Sequence, residues 1–369
     1  MTAKPLTILT GINRPSEPSS GSLILVNDLY PATPDTRTIY LGRGPVDREW
    51  RSAFDELIPI STTKQPQGPA FDTYVDELTQ EVGARIEQIR PDAIHAQNVG
   101  FALSLAFSRT AGTIPMISIA HGPEVMAAER DATERASMRE VAAASAAIVT
   151  PTSILADHLD RLTGRRFTDR ITVIPWGIRM ADAQAHDQPS TGTGALSLVH
   201  AGRLDDNKST VTAIEALALT DQPHALTVIG EGPLRQHLEQ RAVELGLRDR
   251  IHFEPRMPRA ELWGLLPSFD AFVFTTKGLE AFGLVLIEAQ AHGLPVVYSA
   301  LPGVREILGN AGKAYVPGDP RSLASALDEM GQDFPLRKAL TKASLTNARR
   351  YDIATTGRHL HQLTLRVIP

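Results

Sequence analysis

The chain has 369 residues, of which 42% are hydrophobic and 21% charged, and its formal net charge at pH 7 is −5. This length favours two domains, because compact domains usually have about 100–200 residues, and the composition is that of an ordinary globular protein. The lack of a long basic run excludes the charge signature of nucleic-acid binding. The lack of cysteine excludes disulfides, cysteine metal sites and a thiol nucleophile.

Apolar runs are short, so neither a signal peptide nor a membrane span is predicted. The first residues, MTAKPLTILTG, carry too short an apolar run for a secretory signal. No stretch approaches the ~18 apolar residues of a membrane span. The sequence therefore predicts a soluble cytoplasmic protein.

Short apolar runs alternate with longer helical patterns, which is typical of βαβ units and parallel sheets. In the first half, strands are predicted at 6–10, 38–42, 92–96, 116–120, 146–150 and 171–175, and helices at 70–89 and 128–145. A polar segment rich in Gly, Ser, Thr and Pro follows at 179–195 and is predicted to be a linker. In the second half, strands are predicted at 196–202, 225–230, 251–255, 271–276 and 295–299, and helices at 208–219, 232–246, 283–292, 320–331 and about 336–366. The pattern predicts two doubly wound α/β domains with a cleft between them, where ligands bind at the carboxyl ends of strands.

Two cations follow the first strand of the second half. The loop HAGRLDDNKS (200–209) places Arg203 and Lys208 at the carboxyl edge of the predicted sheet. A guanidinium and an ammonium at such an edge are suited to a diphosphate. The alternatives are a solvated loop, in which Asp205 and Asp206 neutralise the two cations, and a metal held by the aspartates.

A glycine-containing turn follows the next predicted strand. The segment VIGEGPLRQHL has Gly230 and Gly232 but carries Arg235 where the dinucleotide fingerprint needs its third glycine. It predicts a tight strand-to-helix turn more than an NAD site.

The segment LEAFGLVLIEAQAHGLPVV (279–297) places Glu280 and Glu288 eight positions apart around Gly283. Gly283 permits close backbone approach at a helix start, which is a favourable position for a phosphate. The carboxylates are acceptors for sugar hydroxyls. Two surface glutamates are the alternative, but Glu288 lies in an apolar run where an unpaired charge is costly, so a ligand or an internal cation is predicted beside it. A glycosidase acid/base pair needs carboxyls about 5–5.5 Å apart, and the spacing predicts a larger separation.

These segments resemble the retaining glycosyltransferases of family 4. LEAFGLVLIEAQA resembles their E-x7-E signature, AGRLDDNKS their G-R-L-x-x-x-K-G loop and VIPWGI their V-I-P-N-G-V segment. The resemblance covers the second half almost completely and the first half in outline. It implies a GT-B fold, in which two Rossmann-like domains face a cleft. The domains would be an N-terminal acceptor domain at 1–178, a linker at 179–195, a donor domain at 196–345 and a C-terminal helix at 346–369 that packs back on the N-terminal domain.

The resemblance also implies roles for single residues. Arg203 and Lys208 would hold the donor diphosphate, Glu288 the nucleotide ribose and Glu280 the donor sugar. The remaining implied contacts are backbone at Ala281, Phe282, Gly283 and Leu284 on sugar and phosphate, Arg256 and Met257 on the base, His121 on the reacting sugar, and Gly21 near phosphate or acceptor.

The implied reaction transfers a hexose, glucose or N-acetylglucosamine, from a nucleotide diphosphate sugar, favoured as UDP-linked, to a hydroxyl of a small soluble acceptor with retention of configuration. It would proceed by front-face displacement without a metal or cofactor. Membrane association is not predicted, because the first half lacks a basic, apolar surface helix. A sugar-nucleotide epimerase and a non-catalytic nucleotide-sugar-binding protein on the same fold are the alternatives.

Several positions depart from the family pattern. Ser209 replaces a glycine, Trp176 an asparagine, and Gln97 a histidine that many members carry, while Arg179 stands where an aspartate is common. Three histidines in or beside apolar strands, His95, His200 and His252, are predicted to be buried and hydrogen-bonded. The 37–60 region, with Arg43, Arg48, Trp50 and Arg51, is a candidate acceptor surface.

Overall fold

The computed structural model describes residues 5–15, 21–31, 33, 35–43, 53–65, 68–183 and 194–369. The chain divides into two compact units. The first comprises Met1–Trp176 together with Ile353–Pro369, and the second comprises Gly177–Asp352.

Parallel strands and connecting helices alternate in the described part of the first unit. The strands are β1 (Leu6–Pro15), β2 (Thr36–Arg43), β3 (Glu56–Pro59), β4 (Ala93–Gln97), β5 (Met116–Ile119), β6 (Ala147–Thr150) and β7 (Ile171–Val173). The helices are α1 (Gly21–Leu29), α2 (Phe71–Ile89), α3 (Ala102–Thr110), α4 (Pro123–Arg130), α5 (Ala132–Ala144) and α6 (Ser153–Leu162). The sheet order is β3-β2-β1-β4-β5-β6-β7.

The second unit repeats this plan. Its strands are β8 (Ser197–Ala201), β9 (Ala225–Ile229), β10 (Ile251–Glu254), β11 (Ala271–Phe274), β12 (Val296–Ser299) and β13 (Lys313–Tyr315). Its helices are α7 (Thr210–Leu217), α8 (Arg235–Glu244), α9 (Arg259–Leu265), α10 (Leu284–Ala291), α11 (Pro302–Leu308), α12 (Pro320–Gln332) and α13 (Phe334–Ala348). The final helix, α14 (Ile353–Val367), belongs to the first unit.

The strand order fixes where each sheet can bind a ligand. The second sheet has the order β10-β9-β8-β11-β12-β13, and its core packs apolar strand residues such as Leu198 and Val273 against helix residues such as Ile214 and Leu327. The order of the chain reverses between β8 and β11, as it does between β1 and β4 in the first sheet. In open parallel sheets, ligands bind in the crevice at the carboxyl ends of the strands at such a reversal point.

Two helices predicted as continuous are divided in the structure. Asp131 is extended (φ −125°, ψ 131°), and its carboxylate accepts hydrogen bonds from the backbone N–H groups of Thr133 and Glu134, so it ends α4 and caps α5. The stretch predicted at 336–366 is divided between α13 and α14, and the chain passes from the second unit to the first at this break. Of the predicted linker, residues 184–193 lie outside the described residues. Within the part of the chain that the structure describes, no helix is long and apolar enough to cross a membrane.

Candidate functional site

The loops that follow β8 and β11 lie side by side at the carboxyl edge of the second sheet. The backbone N–H of Lys277 donates to the carbonyl of Asn207 at 2.9 Å, and the Thr275 hydroxyl donates to the carbonyl of Lys208 at 2.7 Å. A Cβ on Gly278 would lie only 2.3 Å from Asn207 Oδ1, so a side chain there would displace the Asn207 side chain. The sequence thus brings two distant segments to the crevice where strand order reverses.

Lys208 and Glu280 form an ion pair between these loops. The Lys208 Nζ lies 2.6 Å from Glu280 Oε2, and the two side chains are only 25% and 12% exposed. The ammonium also lies 5.4 Å from the centroid of the Phe274 ring, within range of a cation–π contact. The structure therefore brings together two of the residues that the sequence predicts to act on one ligand. A cation suited to phosphate lies beside a carboxylate suited to hydroxyls.

Arg203 is exposed on the same loop and is engaged by Asp205. Its Nε donates to Asp205 Oδ2 at 2.9 Å, and Asp205 Oδ1 accepts from the backbone N–H of Lys208 at 3.0 Å. Burial raises the pKa of Asp205, but hydrogen bonds from Arg203 and Lys208 outweigh it and hold this pKa below its usual value. Asp205 thus shapes the loop and neutralises Arg203. Among the described residues, no group of three His, Asp or Glu side chains is placed to hold a metal ion.

Gly283 is the N-cap residue at the start of α10, where the sequence predicts a helix to begin. Its backbone is left-handed (φ 76°, ψ 63°), a conformation that favours glycine. The first N–H groups of a helix have no intrahelical partner, so the start of α10 carries positive partial charge close in sequence to Glu280. Phe282 is buried and packs edge-on against Tyr351, with ring centroids 5.5 Å apart, whereas Ala281 and Leu284 are half-buried. The Phe282 side chain therefore anchors the loop.

Glu288 has an internal cation, Arg259, which the sequence did not identify. The Arg259 Nε lies 2.8 Å from Glu288 Oε1, and the two side chains are 16% and 7% exposed. The guanidinium lies 4.3 Å from the centroid of the Trp263 ring, which itself packs edge-on against His292. The sequence signal was the position of Glu288 in an apolar run, which predicted a ligand or an internal cation beside it. Nothing in the sequence distinguished Arg259 from the neighbouring Arg256.

Arg256 and Met257 lie in the segment between β10 and α9. Arg256 is exposed and Met257 is half-buried. Their contact with a nucleotide base stays a prediction.

The glycines of VIGEG are explained by packing against the loop after β8. A Cβ on Gly230 would lie 1.9 Å from the carbonyl oxygen of Gly202, and one on Gly232 would lie 2.3 Å from that of Leu204. Arg235, in place of a third glycine, donates to the backbone carbonyls of Gly230, Phe253 and Glu254. The segment is therefore the tight turn that the sequence predicts.

His121 lies in the first unit, directly after β5. It is buried, its backbone N–H donates to Glu124 Oε1 at 2.7 Å, and its Nε2 lies 2.9 Å from Gln97 Oε1. The ring of the buried Trp176 lies 6.0 Å from that of His121. Gly21 is the exposed first residue of α1, and residues 16–20 before it lie outside the described residues. The predicted roles of His121 and Gly21 stay predictions.

The other histidines differ in their surroundings. Burial lowers the pKa of His95 to about 3, with a contribution from His361. Burial likewise lowers the pKa of His200 to about 4, and this ring contacts the Val273 carbonyl at 2.9 Å. The prediction of a buried His252 is wrong: β10 is an edge strand, and alternate residues of that strand face solvent.

The candidate acceptor surface is described only in part. The Arg43 guanidinium lies 5.8 Å from the centroid of the Tyr74 ring, whereas Arg48, Trp50 and Arg51 lie outside the described residues.

Two family models match the chain. The model described as Glycosyltransferase Family 4 matches residues 44–182, and the model described as Glycosyl transferases group 1 matches residues 183–346. Between them the two models span most of the sequence. The chain belongs to the family 4-like glycosyltransferases.

Curated relatives are similar over part of their length. The chain is 30% identical over 260 residues to the glycogen synthase of Mycobacterium tuberculosis, an alignment that covers 66% of this chain and 61% of the relative. It is 31% identical over 231 residues to the D-inositol 3-phosphate glycosyltransferase of Xylanimonas cellulosilytica, which covers 58% of this chain and 55% of the relative. The chain therefore spans less than two-thirds of these relatives.

Solved structures are similar over nearly the whole chain. Anabaena HepE in complex with UDP and glucose matches with a TM-score of 0.80 at 18% identity, covering 98% of this chain and 100% of that one. The sucrose-phosphate synthase of Thermosynechococcus elongatus matches with a TM-score of 0.83 at 18% identity, covering 98% and 99%. These likenesses confirm the predicted fold, two Rossmann-like α/β domains of the GT-B type.

Proposed function

We propose that this family member is a retaining glycosyltransferase that moves a hexose from a nucleotide diphosphate sugar to a hydroxyl of a small soluble acceptor. The observation that carries the proposal is the ion pair between Lys208 and Glu280 at the reversal point of the second sheet. A diphosphate needs cations and N–H donors, and a sugar needs hydrogen-bond acceptors. This edge of the sheet supplies both.

The donor diphosphate is bound by the Lys208 ammonium and the first N–H groups of α10. Arg203 is exposed and adds a second cation when its guanidinium turns from Asp205 towards a phosphate. Glu280 then accepts hydrogen bonds from the sugar, and Glu288 from the ribose. Arg259 supplies the countercharge that a buried carboxylate requires.

The proposed reaction is a substitution at the anomeric carbon of the donor sugar, with the nucleotide diphosphate as the leaving group. The bond from that carbon to the phosphate oxygen breaks, the acceptor oxygen bonds to the carbon on the same face, and the acceptor proton passes to the departing phosphate. Lys208 and the helix N–H groups stabilise the negative charge that develops on the leaving group. His121 is assigned by the family resemblance to orient the sugar. The step requires neither an enzyme nucleophile nor a divalent cation.

The two glutamates are not arranged as a glycosidase pair. Glu280 is paired with Lys208 across the two loops, and Glu288 with Arg259 inside the unit. A glycosidase needs two carboxyls flanking one glycosidic bond. Each carboxylate instead has its own cation, which supports ligand-binding roles for both.

A UDP-linked glucose is the first donor to test. HepE was solved with UDP, with UDP and glucose, and with UDP-glucose. Glycogen synthase, sucrose-phosphate synthase and D-inositol 3-phosphate glycosyltransferase are among the similar proteins. The last of these is named for D-inositol 3-phosphate, a small molecule with several hydroxyls, and this supports a small soluble acceptor. UDP-N-acetylglucosamine is the second candidate donor.

The test begins with thermal shift against UDP, GDP, ADP and TDP sugars, because a ligand at 100 times its Kd stabilises the folded state by about 2.7 kcal/mol. The selected donor is then offered with cyclitols and sugars, nucleotide diphosphate release is measured, and the anomeric configuration of the product is read by NMR. Retention is expected. Epimerisation of the donor sugar without any acceptor, and without release of the nucleotide diphosphate, would instead show an epimerase.

A matched pair of lysines separates site chemistry from loop charge. Lys208→Ala should lower turnover by orders of magnitude with little change in Tm. Lys277→Ala removes a lysine of the adjacent loop that pairs with exposed Asp206 at 2.6 Å, and should keep turnover within about threefold of wild type. Equal turnover of Lys208→Ala and wild type would defeat the site assignment.

A further inference from the structure

A chain of buried hydrogen bonds connects His121 to the last helix of the first unit. His121 Nε2 lies 2.9 Å from Gln97 Oε1, and Gln97 Nε2 donates to the Tyr30 hydroxyl at 2.7 Å. The Tyr30 hydroxyl lies 3.2 Å from His95 Nδ1, and His95 Nε2 lies 3.0 Å from Thr364 Oγ1 in α14. All five residues are at most 7% exposed, so the groups satisfy one another.

The proton positions follow from the far end of this chain. The Thr364 hydroxyl donates its only hydrogen to the carbonyl of Leu360 at 2.8 Å, so it accepts from His95 Nε2. Because burial lowers the pKa of His95 to about 3, that ring is neutral and carries a single proton, which lies on Nε2. His95 Nδ1 is therefore an acceptor. Burial raises the pKa of Tyr30, so its hydroxyl keeps its hydrogen, which points to the side where Thr10 Oγ1 lies at 3.0 Å and His95 Nδ1 at 3.2 Å and not towards Gln97.

The orientation of the Gln97 amide follows in turn. Tyr30 has committed its hydrogen and accepts from Gln97 Nε2. The Thr10 hydroxyl donates to the carbonyl of His95 at 2.8 Å and accepts the second Gln97 N–H at 3.1 Å. Both amide hydrogens are thus used, and Gln97 Oε1, which only accepts, faces His121. His121 Nε2 must then be the donor.

We propose that Gln97 is a positioning residue that holds His121 as the Nε2–H tautomer, and that Thr364 sets the direction of the chain from α14. The inference rests on the proposed function only in taking His121 to act on the transferred sugar. A histidine at position 97, as in the family pattern, has two tautomers of its own. A primary amide with both hydrogens committed has one orientation. The departure at Gln97 thereby gives His121 a single ring orientation and hydrogen placement.

Thr364→Val is the informative variant, because it changes the far end of the chain. Without the Thr364 hydroxyl, His95 can carry its proton on Nδ1, Tyr30 can donate to Gln97, and the amide can turn its N–H to His121. His121 would then populate the Nδ1–H tautomer. Gln97→Leu removes the acceptor directly and is the second variant.

Thr163→Val is the matched control. The Thr163 hydroxyl also donates to the carbonyl four residues earlier, that of Leu159, at 2.9 Å, and Thr163 is as deeply buried in the same unit as Thr364. It is the C-cap residue of α6 and takes no part in the hydrogen-bond chain from His95 to His121. A general effect of burying a methyl in place of a hydroxyl would appear in both variants.

The experiment is two-bond ¹H–¹⁵N correlation on the full chain labelled in histidine, with His121 assigned by the signal lost in His121→Asn. The Nε2–H pattern is expected in wild type and Thr163→Val, and a mixture or the Nδ1–H pattern in Thr364→Val and Gln97→Leu. An Nδ1–H pattern in wild type, or an unchanged pattern in Thr364→Val, would overturn the proposal.

Kinetics give the second readout. Thr364→Val and Gln97→Leu should lower kcat by about 10–100-fold while the donor KM changes little, since a small misplacement of a group near the chemistry costs this much. Unchanged kcat in both variants would also overturn the positioning role. If the protein transfers no sugar but the His121 tautomer shifts as described, the proposed function fails and the positioning role of Gln97 stands. If it transfers sugar and the tautomer does not respond, only the positioning proposal fails.

Discussion

Removing Arg259 should destabilise the second unit more than removing its partner. The pair buries a carboxylate that is 7% exposed against a guanidinium that is 16% exposed, with 2.8 Å between Arg259 Nε and Glu288 Oε1. In Arg259→Met the carboxylate stays buried without its cation. In Glu288→Gln the guanidinium keeps its contact with the Trp263 ring and its partial access to water.

The magnitude follows from the separation and the burial. At an effective dielectric constant of about 20, charges 2.8 Å apart attract by about 6 kcal/mol, much of which offsets desolvation. Losing one member of a buried pair costs about 3–5 kcal/mol, and losing a cation–π contact about 1 kcal/mol. Because Arg259 is partly exposed, we expect Arg259→Met to lower the free energy of unfolding by about 3 kcal/mol and Glu288→Gln by about 2 kcal/mol. The double variant should also lose about 3 kcal/mol, which leaves a coupling of about 2 kcal/mol.

The assay is urea unfolding at pH 7, followed by far-UV circular dichroism, for the four members of the cycle. Arg241→Met is the matched control, because its ion pair with Glu215 has a similar length of 2.9 Å but its members are 34% and 33% exposed. That variant should lose less than about 1 kcal/mol. Additive effects of the two single changes, or an Arg259→Met variant as stable as the control, would refute the argument that buried Glu288 depends on Arg259.

Three further predictions concern stability. Burial alone would raise the pKa of Glu81, but hydrogen bonds from the loop after β3 have a larger, opposite effect, and the pKa falls to about 2 from its usual 4.5. Glu81→Gln should therefore lower the free energy of unfolding by about 1–2 kcal/mol at pH 7, and the difference should vanish as pH falls from 4.5 through about 2; a pH-independent difference would contradict this. The backbone of Ser209 is in the left-handed region (φ 47°), which strains a residue with a Cβ but not glycine. Ser209→Gly should therefore raise the free energy of unfolding by about 0.5–1 kcal/mol, and a lower Tm would contradict this. Gly232→Ala places a Cβ 2.3 Å from the Leu204 carbonyl oxygen and should cost about 2–3 kcal/mol, whereas unchanged urea unfolding would show that the turn can relax.

Sequence periodicity predicted the central elements of both sheets, because buried parallel strands are continuous apolar runs. It missed short strands at the sheet margins, such as β3 and β13, because their few residues are only partly buried. It also ran two pairs of helices together. The break at Asp131 depends on a cap, which helical periodicity does not reveal.

The site residues that lie in recognisable sequence motifs could be predicted from the sequence. The segments containing Lys208 and Glu280 were expected to act together, and the structure joins them by an ion pair. Arg259 was not predictable, because a buried carboxylate indicates that a cation is needed but not which arginine the fold brings to it. The hydrogen-bond chain from Gln97 to Thr364 was not predictable for the same reason, since it joins residues from strands and helices far apart in sequence.

The central claim is that Lys208 binds the donor phosphates and Glu280 the donor sugar. Calorimetric titration of UDP and of UDP-glucose into wild type, Lys208→Ala, Glu280→Ala and Lys277→Ala tests it directly. Lys208→Ala should weaken both ligands by about 10–100-fold, the value of a charge-assisted hydrogen bond. Glu280→Ala should weaken UDP-glucose while leaving UDP within about threefold of wild type, and Lys277→Ala should change neither. Equal weakening of both ligands by Glu280→Ala, or wild-type affinities in Lys208→Ala, would contradict the account.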